Sequence, residues 1–280
     1  PVAYEMGWDK AIEDGILSDY KIIVLATGVS NIKKAIDRGE YVMQDGRPVT
    51  ADHIAYVHAI NQVVKEYGVR SGISFHSSIK RAKDASSRLV DSGLVSEHID
   101  GGMGSHVRRD ILHRLETNGG ILTNARVLTE GVDVPSLDAV FFGDPKTSKV
   151  DIQQAAGRAM RLSEGKECGY IVIPVVVDDS AQTVDEALET GRFREINAVL
   201  TAMMSVDGLL AEEINQIQTG ERPSGGLSRV VVSSNVKHAR FSVEELVEAI
   251  ETRVVWTKNK EYDVIEKLKE IDRILSPDNP

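Results

Sequence analysis

The sequence is poor in the features that define several common protein classes. It has 1 cysteine among 280 residues, Cys168, so no disulfide can form within the chain and a reducing, cytoplasmic setting is expected. Its longest apolar run, Ile171-Val-Ile-Pro-Val-Val-Val177, is far shorter than a membrane span and contains Pro174, so no membrane partner is expected. The first residues do not read as a signal peptide. Basic residues are in deficit: Lys+Arg 33 against Asp+Glu 43 gives a net charge of -10, which argues against broad coating of nucleic acid and leaves room for a local basic track. No Gly-x-x-x-x-Gly-Lys-Ser/Thr loop, whose amides and lysine cradle phosphates, occurs anywhere. His76, His98, His106, His113 and His238 lack Cys, His or carboxylate partners at metal-ligand spacing, so no metal site is expected. No Gly-x-Ser-x-Gly elbow presents a nucleophile. What remains is an ordinary globular composition, 41% hydrophobic and 27% charged, long enough for one large or two modest domains.

From Gly68 onward, strand-like and helix-like segments alternate, the signature of a parallel sheet covered on both faces. Strands are expected at residues 71–75, 95–100, 120–124, 138–143 and 170–177, and helices at 79–91, 106–117 and 149–162. Residues 21–26 read as a further buried strand, and a helix reaching Tyr67 follows. After Val177 the alternation stops. Residues 183–218 read as helical with a break near Asp207-Gly208, 219–226 as a linker, and 230–233 as a short strand. The expected division is therefore 1–67 as the end of one domain plus a connector, 68–178 as an α/β domain, and 179–280 as a mainly helical extension. The opening at Pro1 rather than Met reads as the middle of a longer chain. Asp185-Glu-Ala-Leu188 imitates a metal-binding carboxylate box, but Thr183 and Glu186 form a helix capping box, which assigns those carboxylates to a first helical turn.

Two segments carry the chemistry. Asp151-Ile-Gln-Gln-Ala-Ala-Gly-Arg-Ala-Met-Arg161 places Arg158 and Arg161 three residues apart on one face of the expected helix, with Gln154 on that face and Gly157 open to close approach. Two guanidiniums projecting together suit a polyanion such as a triphosphate. Upstream lies Asn124-Ala-Arg-Val-Leu-Thr-Glu-Gly-Val-Asp-Val-Pro135, in which Gly131 permits close backbone approach and Asp133 is a free-standing carboxylate in a turn.

Together these segments resemble motifs V and VI of superfamily 2 helicases and translocases, in their second RecA-like domain, with the restriction-type and phage-type DEAD/DEAH enzymes the most similar in flavour. Ser71-Gly-Ile-Ser-Phe-His-Ser-Ser-Ile-Lys-Arg-Ala82 resembles motif IV, and Ile99-Asp-Gly-Gly-Met-Gly-Ser105 with Arg108 and Arg109 the next strand-to-helix element. The resemblance implies a RecA-like parallel sheet flanked by helices. It implies that Arg158 and Arg161 reach the γ-phosphate of ATP·Mg2+ held mainly by another motor domain, and that Gln154 orients that phosphate or the attacking water. Gly131, Asp133 and Gly157 would touch the nucleotide. The register of motif V that commonly holds a threonine holds Ala125 here, which leaves Asn124, Arg126 and Ser77 as candidate contacts to nucleic acid, DNA more than RNA. The chain would then be half a motor, inactive as an ATPase without its partner domain. The rival reading is a non-catalytic nucleic-acid-binding or scaffold module that kept the fold.

Overall fold

In the computed structural model the described residues are 6–28, 51–125, 137–144, 148–178, 180, 181, 183, 184, 193–218, 227–234, 236, 245, 248 and 249. Their elements are α1 (Trp8–Glu13), β1 (Asp19–Gly28), α2 (Ala51–Tyr67), β2 (Ser71–Phe75), α3 (Ile79–Asp91), β3 (Ser96–Ile99), α4 (Ser105–Asn118), β4 (Gly120–Asn124), β5 (Ala139–Phe142), α5 (Lys149–Ala159), β6 (Cys168–Val177), α6 (Phe193–Met204), α7 (Gly208–Gln218) and β7 (Val230–Ser234). The strands form one 7-stranded sheet in the order β3-β4-β2-β5-β6-β1-β7, every pair parallel.

Parallel strands need both faces covered, and the period-2 alternation of side chains divides the core accordingly. On one face Ile22, Val24, Ile73, Leu122, Val140, Phe142, Ile171 and Ile173 meet apolar residues of α4, α5, α6 and α7, such as Leu115, Ile152, Val199 and Leu210. On the other, Ile23, Leu25, Ile121, Phe141 and Val172 meet Tyr56, Ile60 and Val63 of α2 with Leu89 of α3. Pro174, which has no amide hydrogen to give, pairs with Leu25 of β1 at a point where β6 has already passed the end of its pairing with β5, at Val172.

The sheet crosses both boundaries drawn from the sequence. β1, assigned there to a preceding domain, lies between β6 and β7 and pairs with β6 along its whole length, from Asp19↔Cys168 to Gly28↔Val177. β7, assigned to the extension, pairs with β1 from Ile22↔Val230 to Ala26↔Ser234. Local sequence shows that 21–26 is a buried strand; it carries no mark of which strands flank it. A polar cluster ties the start of β1 to the residue before β7 and to the α6–α7 connection. Asp207, fully buried in the α6–α7 connection, accepts from the Tyr20 hydroxyl at 2.7 Å and the Leu210 amide at 3.1 Å, and lies 3.0 Å from Nε of Arg229. Arg229, the residue before β7, also pairs with Asp19 and stacks its guanidinium 4.7 Å from the centre of the Tyr20 ring. Burial and the Asp207 carboxylate push the Tyr20 phenol well above its ordinary range, so it stays a donor.

Arg229→Met is expected to destabilise the chain by about 3–5 kcal/mol in a urea titration, because it leaves Asp207 charged and buried without its counterion. Tyr20→Phe, which removes one hydrogen bond to that carboxylate and keeps the ion pair, should cost less, about 1.5–3 kcal/mol. A loss for Arg229→Met no larger than for Tyr20→Phe would mean that the cluster is screened by water and does not hold β7.

Candidate functional site

At the carboxyl edge of the sheet, β2 runs into the turn that was expected to face nucleic acid. The His76 amide donates to Asn124 O at 2.9 Å, and the amides of Gly143 and Asp144 donate to Phe75 O at 3.1 and 3.3 Å, which brings Asp144 over the turn. Asp144 accepts from the Ser77 amide at 2.8 Å, the Ser77 hydroxyl at 3.0 Å and Arg81 Nε at 2.8 Å, while Arg81 Nη2 meets its other oxygen at 2.5 Å. Burial alone would raise this carboxyl, but His76, Arg81 and the Ser77 amide outweigh it and hold it well below the usual carboxylate range. Glycine is required at 143, since a Cβ there would sit 2.5 Å from His76 Cε1. Behind the turn, His76 Nε2 lies 2.9 Å from Ser74 Oγ, which also accepts from the Tyr56 hydroxyl. Ser74, His76 and Asp144 thus stand in the order of a hydrolytic triad, but Ser74 is fully buried and no substrate can reach it. The line is a brace for the turn.

The two described nucleic-acid candidates fare differently. Ser77 is exposed at this edge, with its amide and its hydroxyl proton both given to Asp144, so it can donate to a phosphate only if the hydroxyl turns away from that carboxylate. Asn124 is fully buried, and its Nδ2 donates to Ser74 O at 3.0 Å; it ties β4 to β2 and has no surface to offer a phosphate, a correction to its expected role. Ser78 caps α3 by accepting from the Arg81 amide at 3.3 Å. Arg126, Gly131 and Asp133 lie outside the described residues, as do Asp185 and Glu186.

The second half of the site lies along α5. Ser148 caps this helix, accepting from the Asp151 amide at 3.4 Å. Gln154 and Arg158 share a face four residues apart, and Arg161 follows in a turn just past the end of the helix at Ala159, earlier than the end expected at 162. Gln154 and Arg161 are exposed and Arg158 is half-buried. Among the described residues the Arg158 guanidinium meets no carboxylate, and burial and then the charge of Arg161 lower its proton affinity. Gly157 is half-buried, and a Cβ there would meet Trp8 Cζ2 at 3.8 Å, an ordinary contact, so α1 borders the glycine on one side. Because α5 runs back along the sheet, its 11 residues carry Arg161 about 16 Å from the carboxyl edge. Met160 O accepts from the Ser18 amide at 2.9 Å and hydroxyl at 3.1 Å, which fixes this end beside the start of β1. The expectation that all the motifs gather at the carboxyl ends of the strands is met by Ser77 and not by the arginines.

Sequence reasoning passed over Asp144, read as a turn residue, and Lys166. The Lys166 ammonium reaches Leu137 O at 2.6 Å, Arg161 O at 2.9 Å and Ala159 O. Burial lowers it to about 8, with Asp138 and Cys168 acting in the opposite sense, so it is charged at neutral pH. The one signal in the sequence is Gly165-Lys166 a few residues after the last arginine.

A half-buried guanidinium that meets no carboxylate among the described residues, with a second beside it, fits the phosphates of a nucleotide. Among the described residues no group of His, Cys, Asp or Glu is placed to hold a metal ion, and no helix is long and apolar enough to cross a membrane.

A parallel sheet of this order, covered by helices on both faces, is a RecA-like α/β domain. Residues 55–163 match the helicase conserved C-terminal domain. A probable helicase of African swine fever virus is 30% identical over 146 residues, 50% of this chain and 16% of that protein. A putative ATP-dependent RNA helicase of Methanocaldococcus jannaschii is 32% identical over 80 residues, 29% of this chain and 10% of that protein. Among solved structures, the ATP-dependent Type ISP restriction-modification enzyme LlaBIII bound to DNA superposes with a TM-score of 0.74 and 26% identity, over 90% of this chain and 18% of that one. The chain therefore carries the C-terminal RecA-like domain of superfamily 2 helicases, and it spans a small part of the length of the relatives it matches.

Acid should loosen the braced turn in two steps. Burial lowers His76, so its contribution is complete above the unfolded value of about 6.5 and is lost as pH falls below it. Asp144 is also lowered, so its contribution is lost only further down, below about 4. The melting temperature should fall between pH 7 and pH 5, and His76→Gln should flatten that interval; an unchanged slope in the variant would place the acid sensitivity elsewhere.

Proposed function

We propose that this chain is the second motor domain of an ATP-dependent superfamily 2 helicase or translocase acting on nucleic acid, with DNA as the preferred partner and restriction-modification as the setting. The observation that carries the reading is Arg158: a half-buried guanidinium that meets no carboxylate among the described residues, beside the like-charged Arg161 and on one face with Gln154. Desolvating a charge is costly, and an incoming polyanion offsets that cost. A scaffold that had lost motor function would have no physical use for such a pair.

In this reading a preceding motor domain supplies the phosphate loop and the carboxylates for Mg2+, and α5 closes over ATP from the other side. Arg158 and Arg161 take the charge that develops on the γ-phosphate, and Gln154 orients that phosphate or the water that attacks it. Gly131 admits the nucleotide close to the backbone, and Asp133 accepts from a ribose hydroxyl. Gly157, bordered by Trp8 on one side, lets the nucleotide approach α5 closely. The nucleic-acid track runs along the carboxyl edge, where the amino ends of α3 and α4, and the Ser77 hydroxyl once it turns from Asp144, offer phosphate contacts that read no sequence, and Arg126 supplies a further one in this reading. The preference for DNA rests on the likeness to a restriction-modification enzyme bound to DNA, which extends well past residues 55–163.

The test is Arg161→Ala in the longer protein that contains this chain. The kcat for ATP is expected to fall on the order of 10³-fold or more while KM changes little, because the guanidinium acts mainly in the transition state. Lysine at 161 should rescue poorly, since an ammonium lacks the planar fork. Nucleic-acid affinity should stay as it was, the track lying about 16 Å away along α5. Release of nucleic acid with turnover intact would overturn the assignment. The chain by itself should show no nucleic-acid-stimulated turnover.

A further inference from the structure

The end of α5 is held in an unusual way. A helix terminus leaves its last carbonyls without intrahelical partners, and these are ordinarily met by water or by a glycine-led turn. Here the carbonyls around the arginine pair are taken by protein donors. Met160 O accepts from the amide and hydroxyl of Ser18, at 2.9 and 3.1 Å. Ala159 O and Arg161 O both accept from Lys166, the latter at 2.9 Å. The third proton of the same ammonium goes to Leu137 O at 2.6 Å, in the segment entering β5. One side chain thus uses all its donors on backbone and ties the arginine turn to the sheet.

The surrounding sequence is shaped for this contact. The chain after Arg161 doubles back through a turn closed by the Lys166 amide donating to Ser163 O at 3.2 Å. Gly165 sits in that turn at φ +75, a conformation that a side chain would strain. Gly169, at the start of β6, clears the space in which the Ala159 carbonyl lies, where a Cβ would collide with it. A positive charge at a helix carboxyl terminus is also favourable in itself. Arg158 and Arg161 repel one another, so the turn between them needs a restraint if both are to point at one anion.

We infer that Lys166 is the positioning residue of Arg161: it touches neither nucleotide nor nucleic acid, and by clamping the carbonyls of Ala159 and Arg161 to the sheet it fixes where the Arg161 guanidinium projects beside Arg158. The inference rests on the reading of Arg158 and Arg161 as phosphate-binding groups. It adds to that reading a residue that acts only through Arg161.

A double-mutant cycle in the longer protein tests it, with ATP turnover measured at saturating nucleic acid for the parent, Lys166→Met, Arg161→Ala and the double variant. Lys166→Met should lower kcat about tenfold to a hundredfold with KM for ATP little changed, the scale set by misplacing a catalytic group by about 1 Å. In the Arg161→Ala background the same substitution should change kcat by less than about twofold, since the group it positions is gone. A plain stabilising cap would cost the same factor in both backgrounds, and that result overturns the inference. Parental turnover in Lys166→Met with Arg161→Ala inactive also overturns it, while leaving the proposed function intact. Parental turnover in Arg161→Ala overturns both. If Lys166→Met melts below the assay temperature, Lys166→Arg takes its place in the same cycle under the same criteria. A guanidinium keeps the charge, but its donors lie in one plane on a bulkier head and do not reproduce the three directions of an ammonium.

Discussion

Strand β1 comes first along the chain yet lies between β6 and β7, and what holds it there is a guanidinium, Arg229, enclosed by Asp19, Asp207 and the face of Tyr20. Much of the molecule depends on that placement. With β1 in position, Ser18 reaches Met160 at the end of α5, and Trp8 packs against Gly157 and edge-on to Tyr20 at 6.4 Å. The amino-terminal segment therefore buttresses the helix that carries the arginines. A buried ion cluster adds little net stability over well-packed apolar residues, but it discriminates sharply between neighbours, because any other arrangement strands a charge. Here that discrimination selects the partner of an otherwise anonymous apolar strand.

The parallel sheet separates two kinds of chemistry by construction. Every strand delivers its turn to the carboxyl edge, and a single helix linking two parallel strands, as α5 does, returns the chain to the amino edge. The polar turn after β2, braced by Asp144, sits at the first edge, and the arginine turn after α5, held by Lys166, at the second. α5 runs between them, with Asp144 a few residues before its cap and Lys166 a few residues after its end. One rigid helix thus spans the route from the proposed nucleic-acid track to the proposed phosphate contacts. A carboxylate and an ammonium, neither of which has a catalytic role in the proposed reading, hold its two ends.

Much of the sheet was legible in the sequence. Ser71–Phe75, Gly120–Asn124 and Ile79–Asp91 appear with the bounds that their apolar runs and caps imply, because strand and helix periodicity are local properties. The site was legible only in part. Arg158 and Gln154 share a face because helical spacing alone dictates it, whereas the neighbour that borders Gly157, Trp8, lies nearly 150 residues away in sequence. Asn124 looked like a surface amide beside a phosphate-binding motif; its burial follows from its place at the end of a strand between β3 and β2, which only the strand order reveals.

What the amino-acid sequence determined by itself is the alternation of elements, their apolar faces and the spacing of Gln154, Arg158 and Arg161, all set by interactions within a few residues. What the tertiary structure alone decided is which strands flank β1, that Ser77 and the arginines stand at opposite edges, and that Asp144 and Lys166 brace them. Those outcomes depend on where unpaired carbonyls, amides and charges find partners once the chain has closed on itself. A buried polar group must be satisfied by whatever the fold brings to it, and no local pattern records who that partner will be.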